Sequence, residues 1–181
     1  NISISGNSAG KVTIGTEAVG YSLKVFGNDN IDKTINVPVG SSAYYLANKL
    51  KTDLAGTGVH VSASTKALLG PFDDGVSGSI TFDLKGKNSE AVSINASIDA
   101  SDISALAKRI NEYSSQTGIV ATVTSDFKKI IIESKDGYDI NLKNITAPSD
   151  FYLEAYGQNF EKLSNSNSEK NSKLFINVSE P

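Results

Sequence analysis

The sequence predicts an α+β fold: two tandem β-β-α-β(β) units, in mainly antiparallel sheets each covered by one helix. Three observations carry that prediction. Strand-like alternation gives way twice to helical spacing, near residues 43–54 and 103–110. Each helical stretch then runs through Thr-Gly into a β-branched run, "TGVHVSAS" and "TGIVATVTSD". Finally, the halves superpose in one register. Tyr21, Leu23, Val25 and Gly27 fall on Ile80, Phe82, Leu84 and Gly86 at an offset of 59, as does Ile35-Asn36 on Ile94-Asn95. After one inserted residue, Ser41, Leu46, Ala47, Leu50, Thr57, Gly58 and Val59 fall on Ser101, Leu106, Ala107, Ile110, Thr117, Gly118 and Ile119 at an offset of 60.

The elements follow in order. Ile2 and Ile4 alternate with polar residues, residues 6–10 ("GNSAG") supply turn chemistry, and Val12 and Ile14 resume the alternation, which predicts a hairpin. A second hairpin places Tyr21, Leu23 and Val25 before a turn at residues 27–30, with Ile31, Lys33, Ile35 and Val37 after it. Ala43, Leu46, Ala47, Leu50 and Leu54 then sit at helical spacing, with Ser41 or Ser42 as N-cap and Gly56 as stop. "GVHVSAST" returns to strand, and "ALLGPFDDGVSG" reads as a connector because of Gly70-Pro71 and Asp73-Asp74-Gly75.

The second half repeats the plan. "SITFDLKG" and "AVSINAS" are strands about the turn "KNSE". "SDISALAKRINEYSSQTG" is a helix capped by Ser101, with Ile103, Leu106, Ala107 and Ile110 on one face. Gly118 supplies a left-handed exit into the next strand. "IVATVTSD" and "KKIIIESKDG" form a hairpin, and "YDINLKNI" adds an edge strand. Beyond Pro148, "DFYLEAYGQNFEKL" is either a short helix or an irregular cover, "SNSNSEKNS" a polar linker, and "KLFINVSEP" a last strand. A unit of about 60 residues is marginal alone, so two units with the terminal strands make the credible folding block.

Composition narrows the function. The 181 residues are 39% hydrophobic and 20% charged, with a formal charge of −3 and a pI near 5.2. That balance argues against a nucleic-acid or anionic-membrane partner, either of which favours a basic face. With no cysteine, disulfides and cysteine-based zinc or iron–sulfur sites are excluded. No apolar run approaches the roughly 20 residues of a membrane helix, and no secretory signal opens the chain. A soluble, monomeric fragment is expected. The missing initiator Met suggests an excised or processed piece.

Roughly residues 12 to 145 carry a family pattern, best in the second copy at 79–134: Ile110-Asn111 at the helix end, Thr117-Gly118-Ile119, Ala121, and the terminal strand Ile130 to Ile132. This resembles the flagellin IN motif of variable outer domains of bacterial flagellins and of some cap and hook-associated proteins. The first copy departs from it, with Lys51 where the Asn would stand. The resemblance implies a structural, non-catalytic outer region of an extracellular flagellar filament, exposed and antigenic. Its partners would be other flagellin subunits, through terminal helices absent from this sequence. It implies a division into residues 21–70 and 78–147 as the two units and 148–172 as cover and linker. Residues 1–20 with 173–181 would be terminal strands pairing antiparallel near an insertion point. Filament cap or hook-associated proteins are the near alternative, and an adhesin module binding host receptors or glycans the distant one.

No candidate for chemistry survives weighing, so catalytic, cofactor-binding and metal residues are all read as none. His60, the single histidine, lies on a predicted strand without a Ser or Cys partner motif. Asp73-Asp74-Gly75 reads as a turn, and Asp99 and Asp102 suit a helix start. Asp136, Asp139 and Asn141 offer oxygen ligands but lack the twelve-residue calcium loop. Lys128-Lys129 reads as an exposed turn, and Tyr44, Tyr45, Tyr138, Tyr152 and Tyr156 as core edges rather than a sugar-stacking platform. Asn95, Asn144 and Asn177 begin Asn-x-Ser/Thr sequons.

Overall fold

The computed structural model describes residues 2–5, 12–14, 21–26, 32–38, 42–55, 60–155, 160–163, 168–170 and 176–179. The first half contains β1 (Ile2–Ser5), β2 (Val12–Ile14), β3 (Tyr21–Phe26), β4 (Asp32–Val37), α1 (Ala43–Asp53) and β5 (His60–Ala63). There follow β6 (Thr65–Phe72), β7 (Ser77–Lys85), β8 (Val92–Asp99), α2 (Ser104–Glu112), α3 (Ser114–Thr117), β9 (Ile119–Val123) and β10 (Ile130–Ser134). The chain continues through β11 (Ile140–Thr146), β12 (Phe151–Ala155), β13 (Phe160–Leu163), β14 (Ser168–Lys170) and β15 (Ile176–Ser179). The fold is mixed α+β, with mostly antiparallel sheets and few helices. The turns expected at residues 6–10 and 27–30, and the stop at Gly56, lie outside the described residues, but the first expected hairpin does not form: β1 pairs with β5 and β15, and β2 with β3 in another sheet.

Two sheets build the principal core. One runs β13-β12-β6-β10-β9 and the other β14-β11-β7-β8. Alternate residues of both meet in a single buried cluster, including Leu69, Phe82, Ile94, Ile130, Ile132, Leu142 and Leu153. Period-two alternation is what aims them inward: β8 buries Ile94, Ala96 and Ile98 and exposes the residues between. The helix does not simply lie across one sheet. Packed on both β8 and β9, the edge strands of the two sheets, α2 adds Leu106, Ala107 and Ile110 to the same cluster. Burying an apolar stripe this way closes one side of the sandwich.

Several expectations need correction. The "connector" at 67–72 is instead the centre of the five-stranded sheet, with β10 and β12 on either side. Gly70-Pro71 argues locally against a strand there because proline is rare in central strands. Here Leu69 pairs with Leu153 and Phe72 with Phe151, so two residues oppose the single Tyr152. The bulge absorbs the proline, and the Gly70–Pro71 peptide is cis. Residues 151–155 and 160–163 are neither helix nor irregular cover but a β-hairpin added to β6. Phe151 stacks at a tilt on Phe72, 4.9 Å between centroids. The edge strand expected at 138–145, β11, lies between β7 and β14. The terminal strands do pair, but β1 and β15 run parallel, Ile2 opposite Ile176. The antiparallel partner on the other edge of β1 is β5.

The first half buries Ile35, Ala43, Leu46, Ala47, Leu50, Leu54 and Val61 apart from that cluster. Ser42 caps α1, its hydroxyl accepting from the Tyr45 amide at 3.1 Å.

Two buried hydroxyls stand out in the core. Thr65 and Ser134, opposite one another on β6 and β10, are 4% and 1% exposed, and neither side-chain oxygen has a hydrogen-bond partner. An unpaired buried hydroxyl costs about 1–3 kcal/mol. Thr65→Val keeps the shape and removes the cost, so urea melts should show a gain of about 1 kcal/mol or more.

Candidate functional site

The motif residues form two locks at the carboxyl end of the second helix. α2 stops at Tyr113, and α3 follows as a single turn ending at Gly118, whose φ of 69° is left-handed. Thr117 is fully buried: its hydroxyl donates to the Tyr113 carbonyl (3.0 Å) and accepts from the Ile119 amide (3.1 Å). Its own carbonyl accepts from the Lys87 amide at 2.9 Å. That approach needs glycine at 86, where an added Cβ would come within 2.3 Å of the Thr117 oxygen. Thr-Gly therefore ends the helix, starts β9 and fastens both to the β7–β8 turn. Asn88 stabilises that turn by accepting from the Gly86 amide at 2.7 Å.

The second lock is Asn111. Its Oδ1 accepts from the Ala121 amide at 2.7 Å, and its Nδ2 donates to the Ala121 carbonyl at 2.9 Å. β9 is the outer strand of its sheet. The side-chain amide thus occupies the place of a neighbouring strand and blunts an edge open to foreign pairing. In the first half Lys51 stands at this position, on α1. Asn111→Ala should cost about 1–3 kcal/mol, and faster hydrogen exchange confined to the Ala121 amide would identify the edge as its cause.

A joint connects α1 to the β10–β11 turn. The Gly137 carbonyl accepts from the Tyr44 amide, one of the donors that the start of a helix leaves free, at 2.9 Å. The Tyr44 and Tyr138 rings stack at 4.0 Å. The hydrogen bond between their hydroxyls lowers the Tyr44 pKa and pushes Tyr138 up to about 12. Beside the joint is a small cavity of about 170 Å³ lined by Tyr44, Asn48, Lys51, Ser62, Lys135 and Asp136, among others.

The other sequence candidates scatter. Asp99 and Asp102 serve the turn before α2. Asp99 accepts from the Ser101 amide and hydroxyl, at 2.9 and 2.6 Å, and Asp102 likewise from both groups of Ser104. Ser101 is thus not the helix cap: the N-cap position is Ile103, without a side-chain bond. The serine hydroxyls and amides depress both carboxyl pKa values. A depressed folded pKa contributes stability above the unfolded value of about 3.9 and loses it as pH falls further. Melts between pH 6 and pH 2 should therefore steepen below about pH 4, and Asp102→Asn should flatten that limb.

Asp73 and Asp74 form a turn; the Asp73 amide donates to the Ser149 hydroxyl, and Asp74 pairs with Lys128 at 3.4 Å. Among the described residues, no group of three or more His, Asp or Glu is placed to hold a metal. Backbone at His60 belongs to β5, which pairs with β1. Among the described residues the tyrosines make no common platform: Tyr44 and Tyr138 face each other, Tyr45 is exposed and Tyr152 half-buried; Tyr156 lies outside the described residues. Asn144 of the second sequon donates to Asp83 at 2.7 Å. Sequence reasoning named Asn111 and Thr117 without their bonds, and Gly118 as the left-handed exit that its φ of 69° makes it. It aligned Gly86 with Gly27 without tying it to the helix exit, and it missed Gly137, because close backbone approach across a fold leaves no local periodic signal.

The two locks define a module in which motif residues fasten the end of a helix to a strand and a turn. Residues 79–136 match the family model described as the flagellin hook IN motif. The match holds both locks entirely, from β7 to the β10–β11 turn. The matched motif suggests a flagellar structural protein. No helix of the described residues is long and apolar enough to cross a membrane. No curated protein matches the chain.

Proposed function

We propose that this chain is the solvent-facing outer region of a bacterial flagellin, structural and non-catalytic, displayed on the extracellular filament and antigenic there. The observation that carries the reading is the match of residues 79–136 together with the locks made by its landmark residues. The first half, residues 21–70, is a diverged copy of 78–147. Supporting this are the shared register and the burial of Leu46 and Leu50 where the second copy buries Leu106 and Ile110. The mildly acidic charge of −3 and a polar surface favour solubility and discourage sticking between filaments.

A hook-associated or cap protein is the second reading, favoured by the matched family's own description, which names the hook. Immunogold microscopy of intact cells with antibody against this chain separates the two. Label along the whole filament is the expected result. Label restricted to the tip or the hook junction moves the protein to the second reading, and unlabelled flagella reject both.

A further inference from the structure

The loop between β9 and β10 holds a phenylalanine outward. Phe127 is 51% exposed, one of two large apolar side chains so exposed among the described residues, and its φ is +60°. A bulky non-glycine residue in that region is uncommon and costs free energy, so its surroundings must hold it there. They do. Its amide donates to the Thr124 carbonyl at 2.9 Å and its carbonyl accepts from the Ile103 amide at 3.0 Å. Asp126 accepts from the Thr124 hydroxyl at 2.5 Å and the Lys128 amide at 3.1 Å. Glycine or asparagine would adopt this turn more readily and expose no ring.

A shallow groove of about 340 Å³, largely open to solvent, lies between α2 and β8. Ala96 and Ala105 leave it room, and Lys108, Arg109 and Glu112 border it. The Arg109 Nε is buried without a hydrogen-bond partner, although its other nitrogens reach Glu112 and Tyr113. Two cations against one carboxylate make this rim positive. Around Phe127 the balance is opposite: Asp74, Asp102 and Asp126 outnumber Lys128 and Lys129.

From the outward ring, the roomy groove and the opposed charges, we propose that Phe127 of one copy seats in the α2–β8 groove of a second copy of this chain. The contact rests on the filament reading, since it is assembly that brings copies together. An exposed aromatic side chain meeting a surface of opposite charge is a recurrent pattern of protein interfaces.

The chain has no cysteine, so introduced thiols report one contact at a time. Ser97→Cys places a thiol in the groove wall and Ser125→Cys one beside the anchor, leaving Phe127 intact. Filaments co-assembled from the two variants should form a 97–125 disulfide-linked dimer on oxidation. Adding Phe127→Ser to the second variant should lower its yield about tenfold or more. Filaments that contain both variants but form no such link, link 125 to 125, or ignore Phe127→Ser would overturn the contact while leaving the filament reading intact. Absence of the protein from filaments would overturn both.

Discussion

Gly86→Ala should destabilise the protein by about 3 kcal/mol or more, far beyond the usual cost of adding a methyl group to a turn. The new Cβ would stand 2.3 Å from the Thr117 carbonyl oxygen and 3.0 Å from the Ile119 side chain. Backbone cannot swing aside as a flexible side chain can, so the β7–β8 turn and the helix exit must separate. Separation breaks the Lys87–Thr117 hydrogen bond of 2.9 Å and loosens Ile119, which is fully buried. The overpacking and the lost bond act together. Urea denaturation with an unchanged slope would measure the loss as stability alone. A cost below about 1 kcal/mol would mean that the exit is not locked to the turn, and the structural account of Thr-Gly would fail.

Much of this lock was legible in the sequence, but as pattern rather than mechanism. Gly27 and Gly86 align, as do Thr57-Gly58 and Thr117-Gly118, so glycine and Thr-Gly recur together about thirty residues apart. Periodicity located α1 and α2 because their apolar stripes face a core, and Leu46, Leu50, Leu106 and Ile110 are all buried. What periodicity does not encode is which sheet a strand joins. β7 and β8 pair with each other, as β9 and β10 do, yet the two hairpins lie in different sheets with α2 between them. The reason is long-range pairing: β6 enters beside β10 from some sixty residues earlier, and β12 beside β6 from some eighty later. Alternation along β12 was visible in "DFYLEA", but the preceding proline and the mixed spacing of Phe151, Leu153 and Tyr156 fitted helix as well as strand. Local sequence left that choice open; the exposed edge of β6 decided it.

The asymmetry between the two copies has a similar origin. Asn111 satisfies both backbone groups of Ala121 at a sheet edge. Lys51 has no acceptor to offer an amide, and α1 instead faces the joint at Tyr138 and Gly137. Divergence of the first copy thus coincides with a different neighbour for its helix.

Leu106→Ala should cost about 2–5 kcal/mol, the range for truncating a well-packed core leucine. Leu106 is fully buried in the cluster that joins both sheets, and α2 is the element that spans their edges. A cavity there removes contacts to two sheets at once, and the β-strands on either side are held by their own ladders, so collapse around the void is restricted. For a chain of this length each kcal/mol lowers the melting temperature by about 2–4 °C, so a fall of roughly 5–15 °C is expected. Leu46→Ala is the informative comparison. Leu46 is 1% exposed but lies outside that cluster. If the first half melts separately, Leu46→Ala should lower an early transition and leave the main one in place, whereas Leu106→Ala should lower the main one. Equal shifts of a single calorimetric transition in both variants would instead show that the Tyr44–Tyr138 joint couples the halves into one cooperative unit.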